Sequence, residues 1–168
     1  AWFDRSQTQA LIVQKKGRII YQRYSPDADD GRRVNAMSMT KAIVAILIGI
    51  AIDEGLINSE TDSISQYLPQ ITQASENPVT LRDLLRHTSG IESASKDITA
   101  TLKGNSLITP LSEISFNDER LFRYDNINYH LLSLVLTNIY KQPLNQLIEN
   151  NLWQPLTLEE ASVINTAG

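Results

Sequence analysis

Polar and apolar positions run with two different periods along this chain. Near the start, Ala10–Gln14 and Arg18–Tyr24 have the short apolar runs of β-strands. Between them stands Lys15-Lys16-Gly17, a turn signal, so the pair predicts an antiparallel hairpin. The polar stretch from Ser25 to Arg33 holds Pro26 and Gly31 and predicts a loop. An unbroken apolar run follows from Ala42 to Ile52. It predicts a fully buried helix from about Ser38 to Glu54, stopped by Gly55. Ser63–Tyr67 predicts a short helical turn before Pro69. Thr80-Leu81-Arg82-Asp83 has the form of a capping box and starts a helix ending near His87. Residues Ser89–Glu119 are polar and irregular, and long loops of this kind in compact domains tend to carry function. Helical spacing returns over Ile127–Tyr140 and Leu144–Trp153, separated by Gln142-Pro143. No internal repeat or linker interrupts the chain. The reading is one α+β domain over residues 1–168.

Composition narrows the partners. The chain has 168 residues, 42% of them hydrophobic, enough for a substantial core. Its net charge of −4 gives no electrostatic case for nucleic acid. The run Ala42–Ile52 is too short to span a bilayer and is bounded by Lys41 and Asp53. The absence of cysteine excludes disulfides without fixing the compartment. No signal peptide is visible from Ala1-Trp2-Phe3, so a leader is expected to have been removed or to lie outside this sequence. No His or acidic residues show metal-ligand spacing, and no cofactor motif is found.

The chemistry concentrates at the head of the apolar helix. In Ser38-Met39-Thr40-Lys41, Ser38 and Lys41 are three residues apart, one turn from each other on one helix face. A serine hydroxyl needs a partner to take its proton, and a lysine amine does so where its surroundings lower its pKa. The start of a helix offers a positive end and free N–H groups. The bland alternative is a helix N-cap with Lys41 exposed in the first turn. Ser93-Ala94-Ser95-Lys96 matches the same pattern, but it lies in a polar, Gly-flanked stretch without an apolar helix behind it.

A second group is Tyr124-Asp125-Asn126, ahead of the helix from Ile127. In extended backbone, Tyr124 and Asn126 share one side and Asp125 takes the other. A tyrosine near a lysine serves as phenolate or proton shuttle, and an asparagine amide offers both a donor and an acceptor to a substrate amide or ester. The alternative is an aromatic core residue beside a helix cap. The expected geometry is a bonded Ser38–Lys41 pair, with Tyr124 and Asn126 facing the same pocket and Asp125 facing elsewhere.

These two motifs, in this order, resemble the serine hydrolases of the β-lactamase and penicillin-binding-protein superfamily. The branch with class C β-lactamases, related esterases and 6-aminohexanoate-oligomer hydrolases is the most similar. Further matching stretches are Gly17–Tyr24, Gly49–Ile57, Leu81–Ile91 and Leu152–Leu156. The resemblance implies the N-terminal part of a β-lactamase-like fold, antiparallel strands and a helical region around the buried Ser-x-x-Lys helix. It implies Ser38 as acylated nucleophile, Lys41 as proton acceptor, Tyr124 in the proton traffic and Asn126 in substrate binding. The substrate would be a small ester, amide, β-lactam or peptide.

Asp125 departs from the pattern, since many relatives carry a small residue there. Facing inward it would weaken the base by raising the Lys41 pKa; facing away it could pair with Arg123 or Arg82. His87-Thr88-Ser89-Gly90 reads as a structural turn, with His87 bonding backbone carbonyls at a helix end. His130 reads as a surface or packing residue. A Lys-Thr-Gly or His-x-Gly strand, which in the family supplies one of two oxyanion donors, is missing. Each such donor is worth roughly 2.7–4 kcal/mol in comparable sites. Two strands also make a marginal sheet. The chain is therefore expected to be the N-terminal part of a longer hydrolase, with the remaining C-terminal portion as its partner. The alternatives are a non-catalytic binding or sensor module of the same fold, or an inactive fragment.

Overall fold

Two compact units, Ala1–Ala36 and Met37–Gly168, make up the chain. The computed structural model describes residues 2–26, 36–71, 77–92, 111 and 114–158. In the first unit, α1 (Trp2–Arg5) is a single turn. It buries Phe3 beneath the Arg23 guanidinium, 4.6 Å from the ring centroid, and Arg23 also pairs with Asp4. This turn carries too few residues to show a period, and the sequence pattern gave no sign of it.

Strands β1 (Ala10–Lys15) and β2 (Arg18–Tyr24) form the hairpin. Lys15 belongs to the strand, paired with Arg18, so the turn shrinks to Lys16-Gly17. Both of these residues have positive φ, 50° and 76°, as the two-residue turn that matches strand twist requires. Val13 faces Tyr21 but Gln14 faces Ile19, so Ile20 is the extra residue of a bulge.

The second unit is built around α2 (Thr40–Asp53), preceded by a 3₁₀ turn at Met37–Met39. Val44, Leu47, Ile48 and Ala51 enter a core shared with α3 (Leu81–Leu85), α4 (Asn126–Tyr140) and α5 (Leu144–Ile148). Helix α4 contributes Ile127, Leu131, Leu132, Val135 and Leu136, the i, i+4, i+5, i+8, i+9 stripe of an amphipathic helix. The expectation that α2 is wholly buried does not hold. Ala42 and Gly49 are exposed and Ile46 is 49% exposed, because the core takes only one side of a helix that is apolar all round.

Local chemistry sets the element ends. Thr80 accepts from the Asp83 N–H at 3.2 Å and Asp83 from the Thr80 N–H at 2.9 Å, closing the capping box of α3. Ser63 caps a 3₁₀ turn at Ile64–Gln66. Tyr140 donates to Glu54 at 2.6 Å, tying the end of α4 to the end of α2. Helix α4 stops at Lys141, which is left-handed (φ 55°), and α5 runs on as a π-helix over Glu149–Trp153. The described residues thus form helices plus a two-stranded antiparallel sheet, the α+β content expected from the sequence. Among the described residues, no helix is long and apolar enough to cross a membrane.

Candidate active site

Ser38 stands on the 3₁₀ turn just before α2, exposed, while Lys41 lies in the first turn of the helix. The N-cap of α2 is Met39, without a side-chain bond, so Ser38 does not serve as the cap. Its hydroxyl is engaged elsewhere. Lys41 Nζ donates to Ser38 Oγ at 3.3 Å, and Tyr124 Oη donates to the same oxygen at 2.8 Å. Lys41 Nζ also donates to Asn126 Oδ1 at 2.7 Å and sits 5.0 Å from the Tyr124 ring centroid. The structure thus brings Ser38, Lys41, Tyr124 and Asn126 together across some 85 residues of sequence. Ser93 and Lys96 lie outside the described residues, as does most of the loop between Ser89 and Glu119.

Electrostatics favour ionisation of the phenol. The Tyr124 pKa lies below the ordinary value of 10.0, first because Lys41 bonds to it and then because Ser38 does. Asp125 faces away from the cluster. Its carboxylate caps α4 by accepting the Ile127 N–H at 3.0 Å and lies 3.7 Å from Arg123. Of the two arginines considered for it, Arg82 is taken by Glu60. The charge that Asp125 adds is therefore used by the helix end and Arg123.

A cleft of about 330 Å³ opens beside the cluster, lined by Ser38, Lys41, Asn126, Tyr129, His130 and Ser133 among others. His130 is half-buried on this wall rather than merely on the surface. Burial, then the positive charge of Lys41, hold its pKa below 6.5 against the pull of Asp125. Asn126, His130 and Ser133 fall at i, i+4, i+7 on one face of α4, a spacing visible in the sequence.

The turn at His87–Gly90 buttresses the Tyr124 segment. His87 follows α3 with φ 57°, and among the described residues its ring bonds an N–H and an amide rather than the expected carbonyls. Its Nδ1 accepts the backbone N–H of Asp125 at 3.3 Å. Ser89 Oγ donates to the buried Asn128 Oδ1 at 2.6 Å, and Asn128 Nδ2 bonds the Asp125 carbonyl at 3.1 Å. Arg123 bonds the Ile91 carbonyl and Arg120 the Ser89 carbonyl. Among the described residues no cluster of His, Cys, Asp or Glu could hold a metal ion.

The β-lactamase family profile matches residues 4–167. The chain belongs to the β-lactamase family. Members of this fold family are serine hydrolases of amidase, esterase and penicillin-binding-protein type. Protein flp of Staphylococcus aureus (strain N315) is 26% identical over 174 residues, covering 94% of this chain and 35% of that protein. The chain thus spans about a third of the length of the curated relatives it matches. A Bacillus anthracis protein named, provisionally, as a 6-aminohexanoate-dimer hydrolase superposes with a TM-score of 0.74 at 18% identity. That match covers 90% of this β-lactamase-family chain and 45% of the other. A penicillin-binding protein from Bacillus halodurans superposes with a TM-score of 0.65 at 20% identity, covering 95% and 56%. These structural likenesses show the shared fold.

Proposed function

We propose that this chain carries the nucleophile and base of a serine hydrolase that cleaves a small ester, amide, β-lactam or peptide through an acyl-Ser38 intermediate. The observation that carries the reading is one serine oxygen held between the Lys41 ammonium at 3.3 Å and the Tyr124 phenol at 2.8 Å. Once the phenol is ionised, which its lowered pKa favours, the same oxygen has the phenolate as proton acceptor and the lysine cation beside it. Ser38 Oγ bonds to the acyl carbon as its proton passes to the Tyr124–Lys41 pair. That proton then leaves with the departing alcohol or amine. Water attacks the Ser38 ester, gives a proton to the same pair, and Ser38 departs as the hydroxyl again. Asn126 keeps its Oδ1 on Lys41, which leaves its Nδ2 to donate to a substrate carbonyl. The chain would be the N-terminal part of a longer enzyme, whose remaining length supplies the second oxyanion donor and closes the cleft.

The test is turnover of an activated ester by the full-length protein, with mass spectrometry of the trapped acyl species. Ser38→Ala should abolish turnover and labelling, and Ser93→Ala should leave both nearly intact. Full turnover in Ser38→Ala, or an acyl group mapped to Ser93, overturns the proposal.

A further inference from the structure

Tyr124 poses a problem of position. It is 53% exposed and lies on irregular backbone ahead of α4, where neither a helix nor a strand ladder fixes it. A phenol in that setting ordinarily samples several rotamers. Yet the proposed chemistry needs its oxygen within hydrogen-bond reach of Ser38.

One residue meets Tyr124 on three sides. The His87 carbonyl accepts the N–H of Arg123 at 2.9 Å, and His87 Nδ1 accepts the N–H of Asp125 at 3.3 Å. These are the backbone N–H groups of the residues on either side of Tyr124. Between them, the His87 ring stacks on the Tyr124 ring, centroids 4.6 Å apart at 28°. His87 is itself held fast. It is 8% exposed, with Tyr129 tilted against it at 5.2 Å and Phe122 edge-on at 6.1 Å. Asn128 Nδ2 lies 3.3 Å from the same Nδ1.

We propose that His87 is the positioning residue for Tyr124, working as a neutral imidazole with its proton on Nε2. This rests on the reading of Tyr124 as part of the base. A backbone N–H can only donate, so Nδ1 must accept, and that fixes the tautomer. A proton on Nδ1 would face two donors, release the Asp125 N–H and free the stacked phenol. The charged and titratable groups around the ring are Lys41 from α2, Asp125 at the cap of α4, and the phenols Tyr124 and Tyr129. Burial first, and Lys41 second, keep the ring neutral below its usual range, against the opposing pull of Asp125.

The experiment uses two substitutions in the full-length protein. His87→Asn keeps an acceptor near Nδ1 and tolerates positive φ, but it removes the ring and its titration. His87→Phe keeps a ring and removes the acceptor. Ester turnover is followed from pH 4.5 to 8, with thermal melting beside it to select folded variants. Each folded variant should lose about tenfold in kcat with KM within about threefold, the pattern of a lost transition-state alignment. His87→Asn should also lose one inflection on the acid limb of the kcat profile. On a Tyr124→Phe background, His87→Asn should cost nothing further, because two residues acting through one group are not additive. A folded His87→Asn with wild-type kcat and wild-type pH profile overturns the proposal, and so does an additive double variant. If Tyr124→Phe alone retains full turnover, the underlying reading of Tyr124 fails, and the positioning claim falls with it. Loss in Tyr124→Phe with none in His87→Asn removes the positioning claim alone.

Discussion

Adding one methyl group to Gly90 should cost far more than adding it to Gly49. At Gly90 φ is 66°, where a side chain costs about 1–2 kcal/mol on backbone grounds alone. A Cβ there would also stand 2.4 Å from the Asn117 carbonyl oxygen, 2.7 Å from Asn117 Oδ1 and 3.0 Å from the Glu119 carbonyl oxygen. The first and last of these are backbone and cannot swing aside. The Asn117 N–H also donates to the Gly90 carbonyl at 2.8 Å, so any shift breaks a paired contact. Overpacking of this kind typically adds about 1–3 kcal/mol. Gly90→Ala should therefore lose about 2–5 kcal/mol. Gly49 has no atom within 4 Å of such a Cβ and lies in the exposed face of α2. There the change removes backbone freedom from the unfolded chain and should gain about 0.5–1 kcal/mol. Equilibrium urea unfolding of the full-length protein measures both, read as midpoint shifts at unchanged slope. Equal effects of the two substitutions, or a neutral Gly90→Ala, would refute the claim that the 87–91 turn is clamped against residues 117–119.

Tyr124→Phe and Lys41→Ala should each lower ester turnover by at least ~10²-fold in the full-length protein, the usual scale for general acid–base groups. Tyr124→Phe should do so without moving the melting temperature, because its hydroxyl is exposed and its stacked ring is kept. Leu132→Ala should cost about 2–5 kcal/mol in urea unfolding, since Leu132 is fully buried in the helical core. Stability should also fall in acid through His87. Its folded pKa lies below the unfolded 6.5, so the unfolded chain takes up the proton first. The contribution is whole above about pH 6.5 and is lost as pH falls through the folded value. Melting temperatures at pH 5 and 7 should differ less in His87→Asn than in the parent; an equal difference would count against a neutral buried ring.

The elements that carry a period or a cap were legible in the sequence. Helix α4 shows its stripe in the spacing of Ile127, Leu131, Leu132, Val135 and Leu136, and α3 shows its capping box in Thr80 and Asp83. Burial of α2 was overestimated for a physical reason. A helix that is apolar all round gives no sign of which side the core will take, so the exposure of Ile46 has no signal in the sequence. The turn α1 has too few residues to show a period, and the helical spacing over Leu144–Trp153 gives no sign that Glu149–Trp153 takes the π form.

The candidate site divides along the same line. Ser38 and Lys41 are neighbours through helix geometry, so their pairing follows from a spacing of three. Tyr124 and Asn126 were placed with them by resemblance, because an 86-residue separation leaves no trace in local pattern. His87 shows what such reasoning misses. A histidine after a short helix is read by its nearest backbone, and the nearest backbone suggests donation to carbonyls. In the fold its partners come from Arg123, Tyr124, Asp125 and Asn128 instead, and they reverse its role from donor to acceptor. Asp125 could equally have spoiled the base. The N-cap of α4 is what turns its carboxylate away, because the Ile127 N–H needs an acceptor there. An asparagine or a serine would cap α4 as well without the charge. An acidic residue is tolerated beside the site because helix end and Arg123 both favour a negative group at that position.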